Sequence, residues 1–595
     1  MALITLGLSG SLGYDPAAAI FRDGELVAAV EEERLIRRQH ARGELPYEAI
    51  KYCLREARVK PRDVDQVAVA CAPIPIFSRA RWHYARRYWY APDRGLDALL
   101  NGNRRYRRYV GRIRNLLIDM DISWSRIRFV PVEHQIAHAA SGYYLSGFEG
   151  KVALFSIDLK GEYATTLLAS GENGRISKIR EFYDPDSLEG MYAAITDYLG
   201  FNMLDGAAKI MGLATFGDPD KYDLSDLIDY SGRDFRLNTQ LIGTVGLRRY
   251  KHKSKGHYFS PKLIEMLGPR RAGELFQDPY VHYAAAVQKL YEKVATGLVA
   301  HYLSDIMEKN GKLVVTGTGA FNVKLNQRLL ALPPVKEVFV HPAAGDSGTA
   351  IGAAAWAASR QKKPVSPVKD SFFGPSFSST RCWQACEERR EKYTREKVDD
   401  PAGVAADLLA HGHLVAWFQG RMEFGPRALG HRSILGNPAQ SQMIEAINKK
   451  VKFRESWRFF SPSMLDTVAQ DVLQSDHPGD YLTITFNVAE HWRERLPSLA
   501  YHDGTTRAHV VRKETNPRFY AVLQAMEEKT GYGIVLNTSL NRPGEAMVCS
   551  PEDALEMFFG SDLEYLIMEN VLVKKVARDE DHDRDVEDYL NDDAR

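Results

Sequence analysis

Two groups of polar residues, one in each half of the chain, constrain the fold most strongly, because each belongs to its own run of strands and helices. The first group comprises two histidines and two distant aspartates: His134, His138, Asp158 and Asp346. The second starts in the turn 425–430 and continues with basic, amide and hydroxyl side chains: Arg427, Lys452, Arg458, Arg507, Asn537 and Ser539. We therefore expect an α/β protein with two domains.

The length of the chain also favours two domains. At 595 residues it exceeds the size at which single hydrophobic cores stop growing. Residues 359–369 are polar and basic and contain two prolines, which is typical of a linker. We predict an N-terminal domain over residues 1–358 and a C-terminal domain over residues 370–595. The acidic residues 578–595 are predicted to form a solvated helix or a frayed end.

Apolar spacing predicts regular elements in both halves. Short apolar runs bounded by turn residues predict strands at 3–8, 17–21, 25–30, 66–71, 152–157, 313–315, 414–418, 481–488 and 534–536. Apolar residues three and four apart predict helices at 46–57, 190–199, 281–307, 402–411, 443–449 and 517–529. Strands that alternate with helices in this way are typical of the α/β class.

Charge and cysteine content exclude several classes of protein. The chain has 78 Lys and Arg against 77 Asp and Glu, so nucleic acid is not expected as its main partner. Five cysteines are sparse for this length, which argues against a disulfide scaffold and favours the reducing cytoplasm. The N-terminus lacks a signal-peptide pattern, and no apolar run is long enough to predict a membrane span. Oligomeric state is not specified by these patterns.

Residues 78–114 differ from the rest of the chain, because arginine alternates there with tryptophan and tyrosine. Three interpretations stay open. The stretch could be an amphipathic insertion whose arginine stems cover apolar surface, a binding site for an anionic acceptor, or a binding surface for nucleic acid. The near-zero net charge of the whole chain counts against nucleic acid.

The two histidines are spaced for a metal site. His134 and His138 are four residues apart, so on a helix both imidazoles share one face. With Asp158 and Asp346 they would make a nitrogen and oxygen ligand set that suits Zn²⁺ or Fe²⁺. A simple pair of surface histidines is the alternative. Gln135 stands where a zinc peptidase has glutamate, which excludes that activity.

The second group is suited to phosphate. A guanidinium group such as that of Arg427, held in a tight turn, can grip phosphate oxygens with two parallel hydrogen bonds. Together with the other basic and hydroxyl side chains of its group it favours a polyanion such as ATP, provided that the residues converge. Solvated basic residues are the alternative. A separate glycine loop at 316–322, between a strand and a helix, is a weaker signal for phosphate.

Seven motifs, in order and spread over nearly the whole chain, resemble one family, the O-carbamoyltransferases of the nodulation and antibiotic-tailoring type. The motifs lie at residues 31–34, 134–140, 209–214, 322–327, 342–348, 425–430 and 536–539, the last followed by Gly544 and Glu545. The resemblance implies an N-terminal domain of the actin/sugar-kinase-like fold, similar to the threonylcarbamoyl transferases of tRNA modification, and a C-terminal YrdC-like domain. It also implies a natural-product acceptor, a small molecule with a hydroxyl group.

The resemblance implies a two-stage reaction. The C-terminal domain would join carbamoyl phosphate and ATP, with Mg²⁺, into carbamoyl-adenylate and release pyrophosphate. The N-terminal domain would then move the carbamoyl group to the acceptor hydroxyl and release AMP. By position, the second group of residues would hold carbamoyl phosphate and ATP, and Gly317, Gly319 and Asn322 would lie near the adenylate. The first group would bind a divalent metal, Fe²⁺ or Zn²⁺.

One departure from the family pattern affects the general base. The first turn of such chains often carries His-Asp, whereas this chain has Tyr14-Asp15. We therefore expect Asp15 or His40 to take that role, with His40 the better candidate. Two other functions stay open: a tRNA threonylcarbamoyl-type modification enzyme and a non-catalytic nucleotide sensor. The hydrogenase-maturation type is disfavoured, since its paired Cys-x-x-Cys zinc fingers are absent from this sequence.

Overall fold

The computed structural model describes residues 2–243, 257–271, 273, 276–387, 393–455 and 457–576, with the backbone alone for 203–205. The prediction made for residues 578–595 therefore lies outside the described residues. Within them, no helix has the length and apolar character needed to cross a bilayer.

Within the described residues, twenty-two strands form the sheets. In chain order they are β1 Ile4–Leu8, β2 Ala17–Arg22, β3 Glu25–Glu31, β4 Gln66–Val69, β5 Arg128–Pro131, β6 Val152–Ile157, β7 Ala164–Glu172, β8 Arg175–Tyr183, β9 Ile228–Tyr230, β10 Phe235–Leu237, β11 Lys312–Thr316, β12 Glu337–Val340, β13 Tyr393–Lys397, β14 Val415–Phe418, β15 Arg432–Gly436, β16 Ser461–Leu465, β17 Thr485–Asn487, β18 Thr505–Arg507, β19 His509–Val511, β20 Ile534–Ser539, β21 Tyr565–Met568 and β22 Val571–Lys575.

The α-helices pack mainly on the faces of these sheets. They are Glu32–Ile36, Tyr47–Glu56, Arg79–Arg87, Pro92–Asn101, Arg104–Asp119, His134–Tyr143, Leu188–Tyr198, Met203–Leu213, Pro261–Leu267, Tyr280–Asn310, Val323–Leu330, Thr349–Arg360, Ser379–Ala385, Pro401–Ala410, Met443–Lys450, Asp466–Leu473, Glu490–Arg495, Pro517–Thr530 and Pro551–Phe559. The predicted α/β class is confirmed, and the predicted helices and most strands lie within a few residues of those observed.

Two five-stranded sheets of the N-terminal half share the same topology. The first has the strand order β3-β2-β1-β4-β5 and the second has the order β12-β11-β6-β7-β8. In each sheet, the first three strands along the chain form an antiparallel meander. The fourth strand then pairs in parallel with the first, and the fifth pairs in parallel with the fourth. This duplication is the arrangement expected of an actin/sugar-kinase-like domain.

Two helices pack closely between these sheets. A Cβ added to Gly352 would lie 1.8 Å from the carbonyl oxygen of Ala137, and one added to Gly7 would lie 2.0 Å from that of Ala350. Only glycine allows backbones to approach this closely. The helices His134–Tyr143 and Thr349–Arg360 are therefore fixed against each other and against β1, with the start of each at the same end of the domain.

An eight-stranded sheet forms the C-terminal half, in the order β13-β22-β21-β14-β15-β20-β16-β19. Two details differ from the sequence predictions. Asn537 to Ser539 lie inside β20 and do not follow it, because they continue the pairing with β15. The strand predicted over 481–488 is shorter, Thr485–Asn487, since Leu482 has a left-handed backbone with φ of 58°.

Candidate functional site

Three separate elements bring together the two histidines and two aspartates, which we call the His/Asp cluster. His134 and His138 occupy the first and second turns of the helix His134–Tyr143. Asp158 directly follows β6, and Asp346 lies just before the helix Thr349–Arg360. All four side chains are at least 96% buried.

Four ligand atoms of the His/Asp cluster converge on one point. The Nε2 atom of His134 lies 3.1 Å from Asp158 Oδ2, 3.2 Å from Asp346 Oδ1 and 3.0 Å from His138 Nε2. The Nε2 atom of His138 lies 3.6 Å and 3.4 Å from the same two carboxylate oxygens. Ligands about 2.1 Å from a tetrahedral metal are about 3.4 Å apart, so these spacings fit a single cation.

Neighbouring groups orient the ligands. His138 Nδ1 lies 3.1 Å from the carbonyl oxygen of Ala344, to which it can donate, so its Nε2 lone pair would point into the cluster. The backbone N–H and the hydroxyl of Thr318 donate to Asp158 Oδ1, which leaves Oδ2 for the cluster. Outer contacts of this kind fix the tautomer of a histidine ligand and the rotation of a carboxylate ligand.

The chemistry of the donor set also fits a divalent metal. Apart from the imidazole contacts, no donor from the described residues hydrogen-bonds to either carboxylate oxygen of Asp346. A buried carboxylate without hydrogen bonds is costly unless a cation compensates it. Two imidazole nitrogens with two carboxylate oxygens suit Zn²⁺ or Fe²⁺, as the sequence predicted.

Opposite charges within the cluster shift its pKa values. Burial alone would lower the pKa of His134, but the nearby carboxylates of Asp346 and Asp158 hold it well above its ordinary value. Burial alone would raise the pKa of Asp158, and the two imidazoles lower it instead. The pKa of Asp346 is lowered for the same reason. The four groups thus compensate one another electrostatically.

Asp15 and His40, the two candidates for the general base, form a pair. His40 Nδ1 lies 2.8 Å from Asp15 Oδ1, and the backbone N–H of His40 donates to Glu33 Oε2 at 2.6 Å. Both members of the pair have left-handed backbones, with φ of 50° and 58°. Burial raises the pKa of Asp15, against the opposing effect of His40, and Asp346 adds to the increase. The pair is therefore close enough to the His/Asp cluster to interact with it electrostatically.

The basic residues of the C-terminal half also converge, and we call Arg427, Lys452, Arg454, Arg458 and Arg507 the basic cluster. Burial lowers the pKa of Arg427 to about 9, and repulsion from Arg507 and Arg458 contributes. Burial and then Arg458 lower the pKa of Arg454 well below its ordinary value. The repulsion among Arg427, Arg454, Arg458 and Arg507 indicates that their guanidinium groups lie near one another.

Polar groups of β20 and the loop after it complete this centre. Lys452 is 5% exposed, and its Nζ donates to Ser539 O at 2.6 Å and to Asn541 Oδ1 at 2.8 Å. Ser539 Oγ donates to the same Asn541 oxygen at 2.6 Å. Asn537 Nδ2 donates to Ala428 O at 3.0 Å, next to Arg427. The residues predicted for this group are therefore brought together by the fold.

The glycine loop of the N-terminal half borders the His/Asp cluster. Gly317 has φ of 91°, and a Cβ there would lie 2.0 Å from Ile157 O. A Cβ on Gly319 would lie 2.6 Å from the Oε1 atom of Glu189. Asn322 caps the helix Val323–Leu330 and pairs with Gln288 through two hydrogen bonds of 3.0 Å. The loop thus lies near Asp158, while the Asn322 amide is engaged in structural contacts.

The two centres are connected by the turn at Gly425. Its N–H donates to Glu31 Oε1 at 2.7 Å, and its carbonyl accepts from Arg34 at 3.0 Å. A Cβ on Gly425, whose φ is 124°, would lie 2.8 Å from the carbonyl oxygen of Pro342. The turn of the basic cluster therefore contacts the loop that leads to the His/Asp cluster.

Four functional candidates were missed from sequence. Arg454 lies between Lys452 and Arg458, which were predicted, but spacing alone did not separate it from solvated arginines. Glu189 is a half-buried residue whose carboxyl group has a pKa raised to about 7, mainly by removal from water, and Tyr291 donates a hydrogen bond to it. Glu31 and Arg34 belong to a motif that supported the resemblance, but no sequence signal showed that they contact the other half.

Comparison with known proteins gives a consistent picture. The family model described as the carbamoyltransferase N-terminus matches residues 5–355, and that described as the carbamoyltransferase C-terminus matches residues 406–575. The nodulation protein NolNO of Sinorhizobium fredii is 33% identical over 98% of this chain and 84% of its own. The nodulation protein NolO of Bradyrhizobium diazoefficiens is 33% identical over 75% of this chain and 79% of its own.

Solved structures show more distant similarity. HypF of T. kodakarensis is similar over 60% of this chain and 48% of its own, with a TM-score of 0.32 and 10% identity. A ROK hexokinase of Thermus thermophilus is similar over 60% of this chain and 98% of its own, with a TM-score of 0.27 and 14% identity.

Proposed function

The chain belongs to the carbamoyltransferase family, and we propose that it is an ATP-dependent O-carbamoyltransferase that acts on a hydroxyl group of a small metabolite. One observation carries the proposal. Two chemically different centres, the anion-containing His/Asp cluster and the cationic basic cluster, are joined through the turn at Gly425. One centre suits a cation and the other suits polyanions, as a two-stage reaction requires.

In the first stage, the basic cluster would hold carbamoyl phosphate and the phosphates of ATP. Water cleaves carbamoyl phosphate to carbamate and phosphate, and a carbamate oxygen attacks the α-phosphorus of ATP. The products are carbamoyl-adenylate and pyrophosphate. Arg427, Arg458 and Arg507 neutralise charge on the departing phosphates. Lys452 orients Ser539 beside them. Mg²⁺ would accompany ATP.

In the second stage, the acceptor hydroxyl attacks the carbamoyl carbon, and AMP leaves with the electron pair of the broken bond. His40 Nε2 would take the hydroxyl proton while Asp15 holds the opposite nitrogen. His134, His138, Asp158 and Asp346 would hold Zn²⁺ or Fe²⁺, which when bound supplies Lewis-acid polarisation. Gly317 and Gly319 would leave room for the adenylate, beside Asn322.

The domain division fits this scheme as part of the proposal. The N-terminal region, residues 1–358, would carry out transfer, and residues 370–595 would be a YrdC-like domain that makes the adenylate, joined by the linker 359–369. We further propose a cytoplasmic protein, since all five cysteines are free and buried.

The experiment that tests the proposal is a screen of hydroxylated natural products with labelled carbamoyl phosphate and ATP. Label should appear in one acceptor class, with one pyrophosphate and one AMP per product. Label transfer that does not need ATP would contradict the proposal. A parallel reaction with tRNA tests the second candidate, a threonylcarbamoyl-type modification enzyme, which the exposed arginines of residues 78–114 favour. Absence of pyrophosphate release with every acceptor would favour a nucleotide sensor.

A further inference from the structure

Two helices of the arginine-rich stretch form a hairpin on the surface of the N-terminal half. The helices Arg79–Arg87 and Pro92–Asn101 cross where Gly95 meets Ala85, because a Cβ on Gly95 would lie 3.4 Å from Ala85 Cα. The inner side of the hairpin packs against the body of the protein. Its small buried residues form one cluster with Tyr163: Ala80 and Ala98.

The hairpin is anchored firmly on this inner side. Asp186, which is 1% exposed, accepts two hydrogen bonds from Arg87, at 3.1 and 2.8 Å, and pairs with His83 at 2.8 Å. The next residue, Ser187, donates to the carbonyl oxygen of Asp158 at 3.2 Å. The hairpin is therefore fixed by contacts that lie next to the His/Asp cluster.

The outer side of the hairpin is apolar and exposed. Arg79, Trp82 and Arg86 are three and four residues apart, so they lie along one outward stripe of their helix. Leu96 and Leu100 form the corresponding stripe of the second helix. The large exposed apolar residues and their exposures are Ile76 49%, Phe77 86%, Trp82 52%, Trp89 79%, Leu96 58% and Leu100 71%. Single exposed apolar residues are ordinary, but six within 25 residues of sequence are not.

Positive charge is abundant in the same stretch of the chain. Residues 78–114 contain eleven arginines and two aspartates, although the whole chain has a net charge of +1. Eight of the arginines are exposed: Arg79, Arg86, Arg104, Arg105, Arg107, Arg108, Arg112 and Arg114. Six of these lie on the next helix along the chain, Arg104–Asp119, so the exposed basic residues directly follow the apolar hairpin in sequence.

We propose that this surface, residues 76–114, docks the protein on an anionic lipid bilayer. Tryptophan, phenylalanine and leucine with arginine around them are the composition that inserts shallowly into a membrane interface. The arginines complement the charge of anionic headgroups. Exposed leucine and isoleucine distinguish this surface from one for single-stranded nucleic acid, where bases stack on aromatic rings. Such a surface lies on a membrane without crossing it. The proposal does not rest on the proposed reaction, and it differs from the expectation from sequence, which was that the protein has no membrane partner.

Vesicle sedimentation of the full chain tests the proposal. Phosphatidylcholine vesicles are compared with vesicles in which about one third of the lipid is phosphatidylglycerol. The chain should sediment with the anionic vesicles and not with the neutral ones. Arg104→Gln with Arg108→Gln should weaken binding about 25-fold, because each basic residue near an anionic surface strengthens it roughly five-fold. Phe77→Ser with Trp89→Ser should weaken it at least as much, since those side chains would be inserted.

Matched variants elsewhere on the surface separate this effect from general loss of charge or folding. Arg233→Gln with Arg236→Gln, and Ile179→Ser, change exposed residues outside the surface and should leave sedimentation unchanged. Unaltered thermal unfolding shows that each variant is folded. Equal binding by the surface and control variants would overturn the proposal. So would binding of single-stranded RNA, weakened by the same variants, in the absence of vesicle binding.

Discussion

In the His/Asp cluster two carboxylates face two imidazoles, and the groups shift one another toward their charged forms. In the basic cluster four guanidinium groups and one ammonium group lie near one another, and burial and repulsion lower the pKa values of Arg427, Lys452 and Arg454. The first centre pairs two carboxylates with two imidazoles and has the geometry of a cation site. The second has an excess of positive charge, with Glu455 near Arg454 and Arg458, and therefore suits an anionic ligand. Alterations that affect one centre and spare the other can break or sharpen this comparison.

The largest expected effect comes from the basic cluster. Arg427→Ala should reduce pyrophosphate release with ATP and carbamoyl phosphate about a thousand-fold, because the positive charge that neutralises the departing phosphates is lost. Arg493→Ala, an exposed arginine of the same half, is the matched control and should retain the full rate. Pyrophosphate release by Arg427→Ala at the wild-type rate would count against the assignment of this centre.

The second effect belongs to the His/Asp cluster. His138→Ala should lower transfer to an acceptor about a hundred-fold, since a ligand of the Lewis acid is missing, while pyrophosphate release continues. Metal content, measured by mass spectrometry of the purified protein, should fall with it. His301→Ala replaces an exposed histidine and should change neither property. If His138→Ala abolished both stages equally, the two centres would not be separable as described.

A carboxyl group beside the His/Asp cluster should give a pH effect on stability. The folded-state pKa of Glu189 is about 7, against 4.5 for the ordinary group, so the folded protein binds the extra proton between these values. The stabilisation that binding of this proton gives to the folded protein is fully present below about pH 4.5 and is lost as pH rises through 7. Glu189→Gln should therefore raise the free energy of unfolding at pH 8 by about 1–3 kcal/mol and leave it nearly unchanged at pH 4.5.

Denaturant titrations at the two pH values measure this difference. Glu292→Gln, which replaces a carboxyl on the helix Tyr280–Asn310, is the control and should not raise the free energy of unfolding at pH 8. A Glu189→Gln protein less stable at pH 8 than at pH 4.5, relative to wild type, would show that the carboxylate is stabilised by its surroundings.

The smallest effect tests a residue outside both centres. Ser550 and Asp553 form a capping box at the start of the helix Pro551–Phe559. Ser550→Ala should lower the free energy of unfolding by about 1 kcal/mol. Both stages of the reaction should keep their rates. A large loss of pyrophosphate release would mean that this helix supports the basic cluster more directly than its contacts indicate.

The family resemblance, the α/β class and most elements could be predicted because they depend on local patterns. His134 and His138 are four residues apart on one helix, and β6 ends directly before Asp158. The shortened strand at 485–487 could not be predicted, since a left-handed residue at 482 ends the extended backbone there. The inclusion of Arg454 in the basic cluster depends on its distance from arginines far along the chain.

The sequence by itself determined that this chain carries carbamoyltransferase motifs, two α/β halves and the residue types for a metal and for phosphate. The tertiary structure decided which of those residues meet. Asp346 reaches His134 because Gly352 lets one helix lie against another and Gly7 lets β1 approach that helix. Gly425 joins the halves through Glu31 and Arg34. The physical reason is that burial and charge pairing depend on distances between residues hundreds of positions apart, which no local pattern records.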